Sequence, residues 1–401
     1  MRCNKVFKYL RDLRLNVTGT VNGLQYAEKV VLIVLGLFSV KFLADVVVDV
    51  YWLRHQKLPP RTCRCNNENF CFTGLDATLS HINGSAFPCE LYPYIQNFNL
   101  LQNDINNIPN DFGKLENDWT PVFVTSASSN HFYELRQYVN VIRINYKKSK
   151  IVVYDVGLNG AMVDEVKSWC LVEYRYFNFK RYPGHVNQLM NYAFKIVIAD
   201  ALKTYKNFFY TDTSVRFLKN FHIDIVRELN RGSILPFMTF TFSDHGIYGA
   251  TDPGMLQYIP VPSNLTKSKE WQSTLLVTDS KYTRTLLKWF VLCALTEDCI
   301  SPPTAQLKCN FYVENKITME MGCHRYDQTF WNLYQLSYIF DPIQRGALKM
   351  GLIDKWPEVM GEKEVRNILT QMGYRWVTYS KSFRTKRNDV LYGKMNNSCV
   401  L

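Results

Sequence analysis

Two aspartates stand where buried hydrophobic runs end. Asp155 ends the run Ile151–Tyr154, and Asp212 follows the aromatic run Phe208–Tyr210. Apolar runs without alternation predict strands that are buried on both faces. In open α/β sheets, ligands bind beyond the carboxyl ends of the strands. Both carboxylates are therefore expected on the ligand edge of one sheet, unless they only close the turns that follow.

Carboxylates at such an edge suit two kinds of chemistry. In the first, Asp155 contacts the nucleoside of a nucleotide sugar, and Asp212 holds a divalent cation that bridges the diphosphate. A hard cation such as Mn²⁺ or Mg²⁺ takes carboxylate oxygens and keeps phosphates and water as its other ligands. In the second, Asp155, Gly157 and Gly160 have the Asp-x-Gly-x-x-Gly spacing of a methyltransferase cofactor loop. That loop here follows the second strand, whereas a methyltransferase normally carries it after the first.

A dense polar group, His324, Arg325 and Asp327, precedes the predicted helix Thr329–Ile339. In a catalytic interpretation, Asp327 would be the general base for an acceptor hydroxyl if the reaction inverts the anomeric configuration. His324 would ligate a metal or contact a phosphate, and Arg325 would stabilise the leaving diphosphate as its charge grows. In a purely structural interpretation, Asp327 would cap the helix and Arg325 would form an ion pair with Asp327. Both interpretations of this group remain open at the level of sequence.

Strands and helices alternate after Trp119, which is typical of a mostly parallel sheet with right-handed crossovers. The pattern predicts strand Val122–Thr125, helix His131–Ile144, strand Ile151–Tyr154, helix Ala161–Trp169, strand Leu171–Phe179, helix Asn187–Tyr205, a strand ending at Asp212, strand Ser233–Phe240 and helix Thr283–Leu295. His245 could also reach the ligand edge, although a lone histidine is more often structural.

Composition and charge limit the class of partner. The chain has 401 residues, of which 47% are hydrophobic and 20% charged, with a net charge of +12. Basic charge favours anionic ligands or surfaces. The lysines and arginines are scattered, and no basic run resembles a nucleic-acid arm, so a nucleic-acid partner is not expected.

Eleven cysteines fall mainly into two groups. The first comprises Cys63, Cys65, Cys71 and Cys89, and the second comprises Cys293, Cys299, Cys309 and Cys323. Neither group has the paired spacing of a zinc site, so disulfides in an oxidising compartment are expected. The pairing stays open, and the second group is expected to tie a loop on the acceptor side.

The first part of the chain predicts a membrane anchor. Residues 30–53 are long enough for a span, which needs ~20 apolar residues. Lys41, Asp45 and Asp49 interrupt the run on one helical stripe, and a buried helix is the alternative. Ten of the eleven cysteines and three of the four glycosylation sequons follow it. We therefore expect a type II membrane protein of the Golgi or endoplasmic reticulum, with a cytosolic tail at 1–29, the anchor at 30–53 and a cysteine-containing lumenal stem at 54–118.

The segment Asn191–Phe217 resembles the helix–strand core of GT-A glycosyltransferases. In that family, a helix with a basic residue leads into a strand that ends in Asp-x-Asp. Lys195 matches the basic position, and Asp212–Ser214 matches the acidic motif with Ser214 in place of the second acid. Cys323–Gln328 resembles the Asp-Gln segment that opens the C-terminal helix of several such enzymes.

Together, Tyr154–Leu158, Tyr210–Phe217 and Cys323–Gln328 resemble an uncharacterised family of glycosyltransferase-like membrane proteins that is abundant in nematodes. The resemblance covers about residues 119–341, and it implies a fold more firmly than an activity. The implied fold is α/β, a GT-A-like, mostly parallel sheet flanked by helices. This domain would span 119–343, and a C-terminal extension would span 344–401.

The resemblance implies a glycosyltransferase that moves a sugar from a nucleotide sugar to a hydroxyl of a glycan, protein or lipid. Asp155 would contact the nucleoside, Lys195 the phosphates, and Asp212 the metal or the diphosphate. Ser214 is a poorer ligand than an acid, which argues against tight binding of Mn²⁺ or Mg²⁺. It also favours a second hypothesis, a binding or scaffold protein that kept the fold and lost transfer. A methyltransferase is the third hypothesis.

Overall fold

A computed structural model describes residues 62–349, except positions 79, 110–113, 232–233, 241 and 273, and it also describes residues 383–385. The described residues belong to one compact unit. The predicted cytosolic tail, the membrane anchor at 30–53 and most of the C-terminal extension lie outside these ranges. Within them, no helix has both the length and the apolar character that a membrane crossing needs.

The segment that was predicted to be a stem packs onto the α/β core. Its elements are β1 Arg64–Cys65, β2 Glu68–Asn69, β3 Thr73–Leu75, β4 His81–Asn83, α1 Tyr92–Asn97 and α2 Gln102–Asn106. The Phe72 ring meets Trp289 edge-on, with 5.5 Å between the ring centroids. Lys288 Nζ lies 2.7 Å from Glu68 Oε2, and both side chains are buried. An apolar face and an ion pair therefore join this segment to the core.

A glycine allows the β3–β4 hairpin to lie directly against the backbone near Pro260. The Leu75 N–H donates a hydrogen bond to the Pro260 carbonyl at 3.1 Å. A Cβ atom at Gly74 would lie only 2.0 Å from the same carbonyl oxygen. The close approach of the two backbones therefore excludes any side chain at position 74.

We expect Gly74→Ala to lower the free energy of unfolding by about 2 kcal/mol, because overpacking against a backbone atom forces the hairpin outward. Gly160→Ala is the matched control, since no atom lies within 4 Å of a Cβ built there. Urea unfolding of both variants measures the difference. Equal losses of stability would show that the approach at Gly74 is not tight.

The α/β region begins at Phe123. Its elements are β5 Phe123–Ala127, α3 Phe132–Asn145, β6 Ile151–Asp155, α4 Gly160–Ser168, β7 Val172–Tyr176, α5 Val197–Thr204, β8 Asn207–Tyr210, β9 Val215–Phe217, α6 His222–Asn230, β10 Phe237–Thr239, β11 Phe242–Gly246, α7 Pro253–Tyr258, α8 Ser263–Thr266, β12 Lys269–Trp271, β13 Leu275–Thr278, α9 Lys281–Ala294, α10 Glu297–Ile300, α11 Asp327–Lys349 and β14 Phe383–Thr385. The predicted alternation of strands and helices is present.

One predicted helix, Asn187–Tyr205, is broken in the structure. Only α5 is α-helical, and short 3₁₀ turns precede it, with Tyr192 in the left-handed region at φ 57°. The Asn191 side chain accepts a hydrogen bond from the Ala193 N–H and donates one to the His185 carbonyl. These bonds compete with the helical ladder, as asparagine side chains commonly do.

Six strands form the central sheet in the order β10-β13-β8-β5-β6-β7. Strands β5, β6, β7 and β8 run parallel, and β13 is antiparallel to both of its neighbours. Successive residues of β6 enter opposite hydrophobic clusters, with Val152 in one and Val153 in the other. Both faces of the sheet are therefore covered. This mixed α/β architecture with a mostly parallel sheet agrees with the predicted α/β class.

The predicted disulfides are confirmed for both cysteine groups, and four bonds each join two cysteines of the same group. The bonds are Cys63–Cys71, Cys65–Cys89, Cys293–Cys299 and Cys309–Cys323. Cys170 is also disulfide-bonded. The Cys309–Cys323 bond closes a loop that precedes α11.

The C-terminal strand β14 returns to the sheet region. It pairs antiparallel with β9, with Phe383 opposite Phe217 and Thr385 opposite Val215. Because β9 directly follows Asp212–Ser214, residues 383–385 border the predicted ligand edge.

Candidate functional site

The strand register places Asp155 and Asp212 at the same edge of the sheet. Asp155 ends β6 and pairs with Ala127 of the parallel strand β5. Tyr210 of β8 pairs with Val124 of the same strand, and Asp212 follows it. The carboxyl ends of these parallel strands therefore meet at one edge, where the sequence analysis predicts a ligand.

Three charged residues from distant parts of the sequence meet at this edge. Lys195 Nζ lies 2.9 Å from Asp212 Oδ1 and 2.8 Å from Asp327 Oδ2. Lys195 and Asp327 are buried, whereas 46% of the Asp212 side chain is exposed. We call this group the Lys195 cluster. It brings together three of the predicted site residues.

Aromatic rings and carboxylates keep the buried lysine charged. The ammonium group lies 5.0 Å from the centre of the Tyr192 ring and 5.9 Å from that of Tyr210. Burial acts to lower the pKa of Lys195, but the charges of Asp212 and Asp327 outweigh it and raise that pKa well above its usual range. The cluster is therefore a fixed cation between two carboxylates, one facing the core and one facing solvent.

Asp212 also lines a pocket of about 240 Å³. The pocket lies between the end of β8, strand β11 and the start of α11, and it carries charges of both signs. Its other lining residues are Ser214, Val215, Ser243, Asp244, His245, Gln272, Thr274, Phe311, Arg325 and Gln328. The loop closed by Cys309–Cys323 contributes Phe311, so the disulfide stabilises one wall of the pocket.

Arg325 supplies positive charge to this pocket. Its buried Nε has no hydrogen-bond partner in the part of the chain that the structure describes. The guanidinium carbon lies 6.0 Å from the centre of the Phe311 ring. Asp327 pairs with Lys195 and not with Arg325, contrary to the structural alternative considered from sequence. A guanidinium with unused donors suits an anionic ligand.

Asp155 lies near the same edge but does not line the pocket. Its Oδ1 accepts hydrogen bonds from the N–H groups of Gly157 and Leu158, at 2.8 and 2.7 Å. Its Oδ2 accepts one from the Tyr174 hydroxyl at 2.7 Å. Gly157 has φ +137°, a conformation that favours glycine. In this arrangement Asp155 closes its loop, and a contact with a nucleoside stays a prediction.

His324 lies in the core, away from the pocket. Its Nδ1 accepts a hydrogen bond from the Asp252 N–H at 3.1 Å, and its Nε2 lies 3.2 Å from the Ile300 carbonyl. Burial lowers the pKa of His324 to about 4. Both ring nitrogens are therefore used by the backbone, and neither is available to a metal ion in this arrangement.

One residue near the pocket, Glu270, was not identified from sequence. Glu270 is fully buried, and its Oε2 accepts a hydrogen bond from Gln328 Nε2 at 2.9 Å. His245 Nδ1 lies 3.1 Å from the same oxygen. Glu270 is a single glutamate in the short strand β12, and no motif or spacing in the sequence distinguishes it from an acid on the protein surface. No sequence signal therefore identified it.

The side chains present fit a divalent cation only together with a diphosphate. Within the described ranges, no group of three or more His, Cys, Asp or Glu side chains could hold a metal ion. Asp212 has a second carboxylate oxygen, and the Ser214 hydroxyl lines the same pocket. Mg²⁺ is commonly held by one or two carboxylates plus substrate phosphates and water. Asp212 and Ser214 would be the protein's ligands.

Comparisons with known proteins concern both sequence and fold. Residues 62–200 match the family model described as "Protein of unknown function (DUF1647)". No curated protein matches the chain. Among solved structures, the chain is similar to the galactosyltransferase LgtC in complex with donor and acceptor sugar analogues. The two sequences are 12% identical, and the TM-score is 0.30. The similarity covers 41% of this chain and 59% of the LgtC chain. The chain thus spans about three-fifths of the length of that LgtC chain.

Two further structures are similar at the same level. The first is the apo WbbM bifunctional glycosyltransferase, at 14% identity and a TM-score of 0.27; the similarity covers 47% of this chain and 39% of that chain. The second is apo mouse xyloside xylosyltransferase 1, at 10% identity and a TM-score of 0.29; the similarity covers 54% of this chain and 81% of that chain. Similarity at these values carries no information about activity.

Proposed function

We propose that the protein transfers a sugar from a nucleotide-sugar donor to a hydroxyl of a glycan, protein or lipid. The observation that carries the proposal is the Lys195 cluster beside the pocket that contains Arg325. The members of the cluster come from two of the segments that resemble GT-A enzymes. Their meeting at the carboxyl edge of the sheet supports a shared role at a ligand site.

The Lys195 cluster would present Asp212 to the donor in one orientation. Lys195 Nζ contacts Asp212 Oδ1, and Oδ2 has no hydrogen-bond partner among the described residues. Asp327 was predicted as the general base, and that role stays a prediction. Its burial and its pairing with Lys195 support a positioning role, in which Asp327 holds the lysine that orients Asp212.

Arg325 would bind the leaving diphosphate. Transfer moves negative charge onto the diphosphate, and a preorganised cation in a low-dielectric pocket stabilises that charge most in the transition state. Asp212 and Asp244 line the same pocket and would repel the diphosphate. A divalent cation held by Asp212 and Ser214 would offset this repulsion and polarise the diphosphate when bound.

The cellular setting is proposed from the cysteines. Disulfides form and persist in oxidising compartments, which supports a lumenal domain in the Golgi or endoplasmic reticulum. The predicted anchor at 30–53 would tether it as a type II membrane protein.

A binding or scaffold protein without transfer activity is the second candidate, and Ser214 favours it. The methyltransferase hypothesis is not carried further, because both Asp155 oxygens already accept hydrogen bonds from the loop and from Tyr174.

The proposal predicts that nucleotide and cation bind cooperatively. Mn²⁺ alone should not shift the thermal unfolding temperature, because Asp212 and Ser214 are too few ligands. A UDP- or GDP-sugar should stabilise the protein by mass action, and more strongly with Mn²⁺. Asp212→Asn should weaken nucleotide-sugar binding in Mn²⁺ by about 10-fold to 100-fold, as expected for the loss of a charged contact of roughly 1.5–3 kcal/mol.

The matched control is Asp224→Asn, an exposed aspartate that pairs with Arg227 on α6. It should bind like the unchanged protein. If no nucleotide sugar binds to folded protein with intact disulfides, the scaffold candidate replaces transfer. Donor binding that is unaffected by Asp212→Asn would place the site elsewhere.

A further inference from the structure

His245 and Glu270 form a buried pair at the wall of the pocket. They lie on the antiparallel strands β11 and β12, whose register shifts between Phe242 and Gly246. His245 Nδ1 lies 3.1 Å from Glu270 Oε2, with only 5% and 0% of the two side chains exposed. His245 also lines the pocket that contains Asp212 and Arg325. The histidine therefore borders both the core and the proposed donor site.

The surrounding contacts fix this pair. Gln328 Nε2 donates to the same Glu270 oxygen at 2.9 Å, which ties β12 to the start of α11. The Phe311 ring lies 6.0 Å from the His245 ring. A Cβ at Gly246 would lie 2.3 Å from the Ile317 carbonyl, so the disulfide-closed loop packs directly on β11. The imidazole has little freedom to rotate away from Glu270.

The neighbours of Nδ1 define the tautomer. Glu270 Oε2 and the Gly246 carbonyl oxygen, at 3.1 and 3.3 Å, are the groups that Nδ1 approaches, and both accept hydrogen bonds. The hydrogen-bond network therefore assigns the proton of a neutral ring to Nδ1. Nε2 keeps a lone pair and has no hydrogen-bond partner among the described residues.

Electrostatics favour the neutral ring. Burial lowers the pKa of His245, and Arg325 and Lys316 lower it further, while the Gly246 carbonyl and Asp244 act in the opposite direction. Burial likewise raises the pKa of Glu270 well above its usual range. A neutral imidazole that is oriented through one nitrogen, and whose other nitrogen has no hydrogen-bond partner among the described residues, is suited to accept a proton.

We propose that His245 accepts the proton of the incoming hydroxyl and that Glu270 is its positioning residue. The inference rests on the proposed function. His245 Nε2 takes the hydroxyl proton as the hydroxyl oxygen bonds to the anomeric carbon of the donor sugar. The bond from that carbon to the diphosphate oxygen breaks, and its electron pair leaves with the nucleoside diphosphate. A single displacement of this kind inverts the anomeric configuration.

Other carboxylates near the pocket fit this role less well. Asp327, the base expected from sequence, is buried against Lys195 and does not line the pocket. Asp244 lines the pocket but is exposed, and the described part of the structure gives its side chain no buried partner of the kind that orients His245. An imidazole lies closer to the pKa that suits proton transfer near neutral pH.

The first test uses the unaltered full chain and diethyl pyrocarbonate, a reagent that acylates neutral imidazole nitrogens. Peptide mass spectrometry should show modification of His245 and protection by a bound UDP- or GDP-sugar. His324 is the internal control and should stay unmodified, because both of its nitrogens are bonded. An unreactive His245, or one that a bound nucleotide sugar does not protect, would overturn the assignment.

The second test separates binding from chemistry. For His245→Gln and Glu270→Gln, we would measure nucleotide-sugar binding and the release of nucleoside diphosphate, with water or a glycan as acceptor. His245→Gln should bind the donor within about threefold of the unchanged protein and release diphosphate about 10²-fold to 10⁴-fold more slowly. A variant with undiminished release would overturn the proposal. So would an unchanged protein that binds donor without releasing diphosphate.

The pH profile gives Glu270 a readout of its own. The reaction needs neutral His245, so the rate should rise with pH through the pKa of that histidine, which burial lowers below its usual range. Glu270→Leu, which removes the acceptor beside Nδ1, should move this limb, and His245→Gln should remove it. If the unchanged protein binds no donor, the proposed function fails and this proposal fails with it, and the acylation result then reports only whether the reagent reaches Nε2.

Discussion

Replacing Lys195 with methionine should lower the free energy of unfolding by about 3–5 kcal/mol, which is typical when one partner of a buried ion pair is removed. The change leaves the Asp327 carboxylate in the core, with Asp212 nearby and no cation between them. Urea unfolding monitored by circular dichroism measures the loss. Nucleotide-sugar binding should also fall, because Asp212 loses the contact that orients it.

A second substitution tests whether buried charge is the cause. Lys195→Met combined with Asp327→Asn removes both core charges and should recover at least half of the lost stability. Donor binding should stay weak in this double variant. Lys203→Met, on the exposed side of α5, is the matched control and should change stability little. A double variant as unstable as the single one would contradict the explanation.

A chain that begins at Trp119 should not fold into the native unit. The preceding segment supplies a set of buried apolar side chains to the main core: Phe70, Phe72, Phe87, Leu91, Ile95, Phe98 and Leu100. Each contributes roughly 1.5–3 kcal/mol on burial, or about 10–20 kcal/mol for the seven. That total matches or exceeds the ordinary net stability of a domain, roughly 5–15 kcal/mol.

The truncation would also leave Lys288 buried without Glu68. The comparison chain begins at Arg61 and keeps the whole segment. Limited proteolysis and thermal unfolding should show a protected, cooperative unit for the longer chain only. Cooperative unfolding of the shorter chain at a similar temperature would mean that the segment is an independent stem after all.

Much of the sheet could be predicted because its strands are continuous apolar runs. Ile151–Tyr154 and Phe208–Tyr210 were identified in this way, and the aspartates after them lie at the expected edge. The broken helix before α5 could not be predicted by periodicity, because Asn191 bonds to local backbone groups and leaves the apolar stripe intact. The packing of Phe72 and Phe87 against the core could not be predicted, because the strands and helices of this segment are too short to show a hydrophobic periodicity.

The site was predictable where family resemblance supplied the residues. Lys195 and Asp327 are 132 positions apart, and no spacing rule connects them. The two histidines show the limit of reasoning from position. His324 was expected at the site and lies in the core, whereas His245, given less weight, lines the pocket. Only tertiary packing distinguishes them, since both stand in short polar stretches of similar composition.

The pairing of β14 with β9 has a consequence for synthesis on the ribosome. Chains emerge from the N-terminus, so β9 leaves the ribosome long before Phe383–Thr385 have been translated. Until then its backbone groups on that side lack their native partner, and open strand edges recruit other strands. A nascent chain would therefore complete this border of the pocket only near release, and a premature stop codon before residue 383 would leave that edge open permanently.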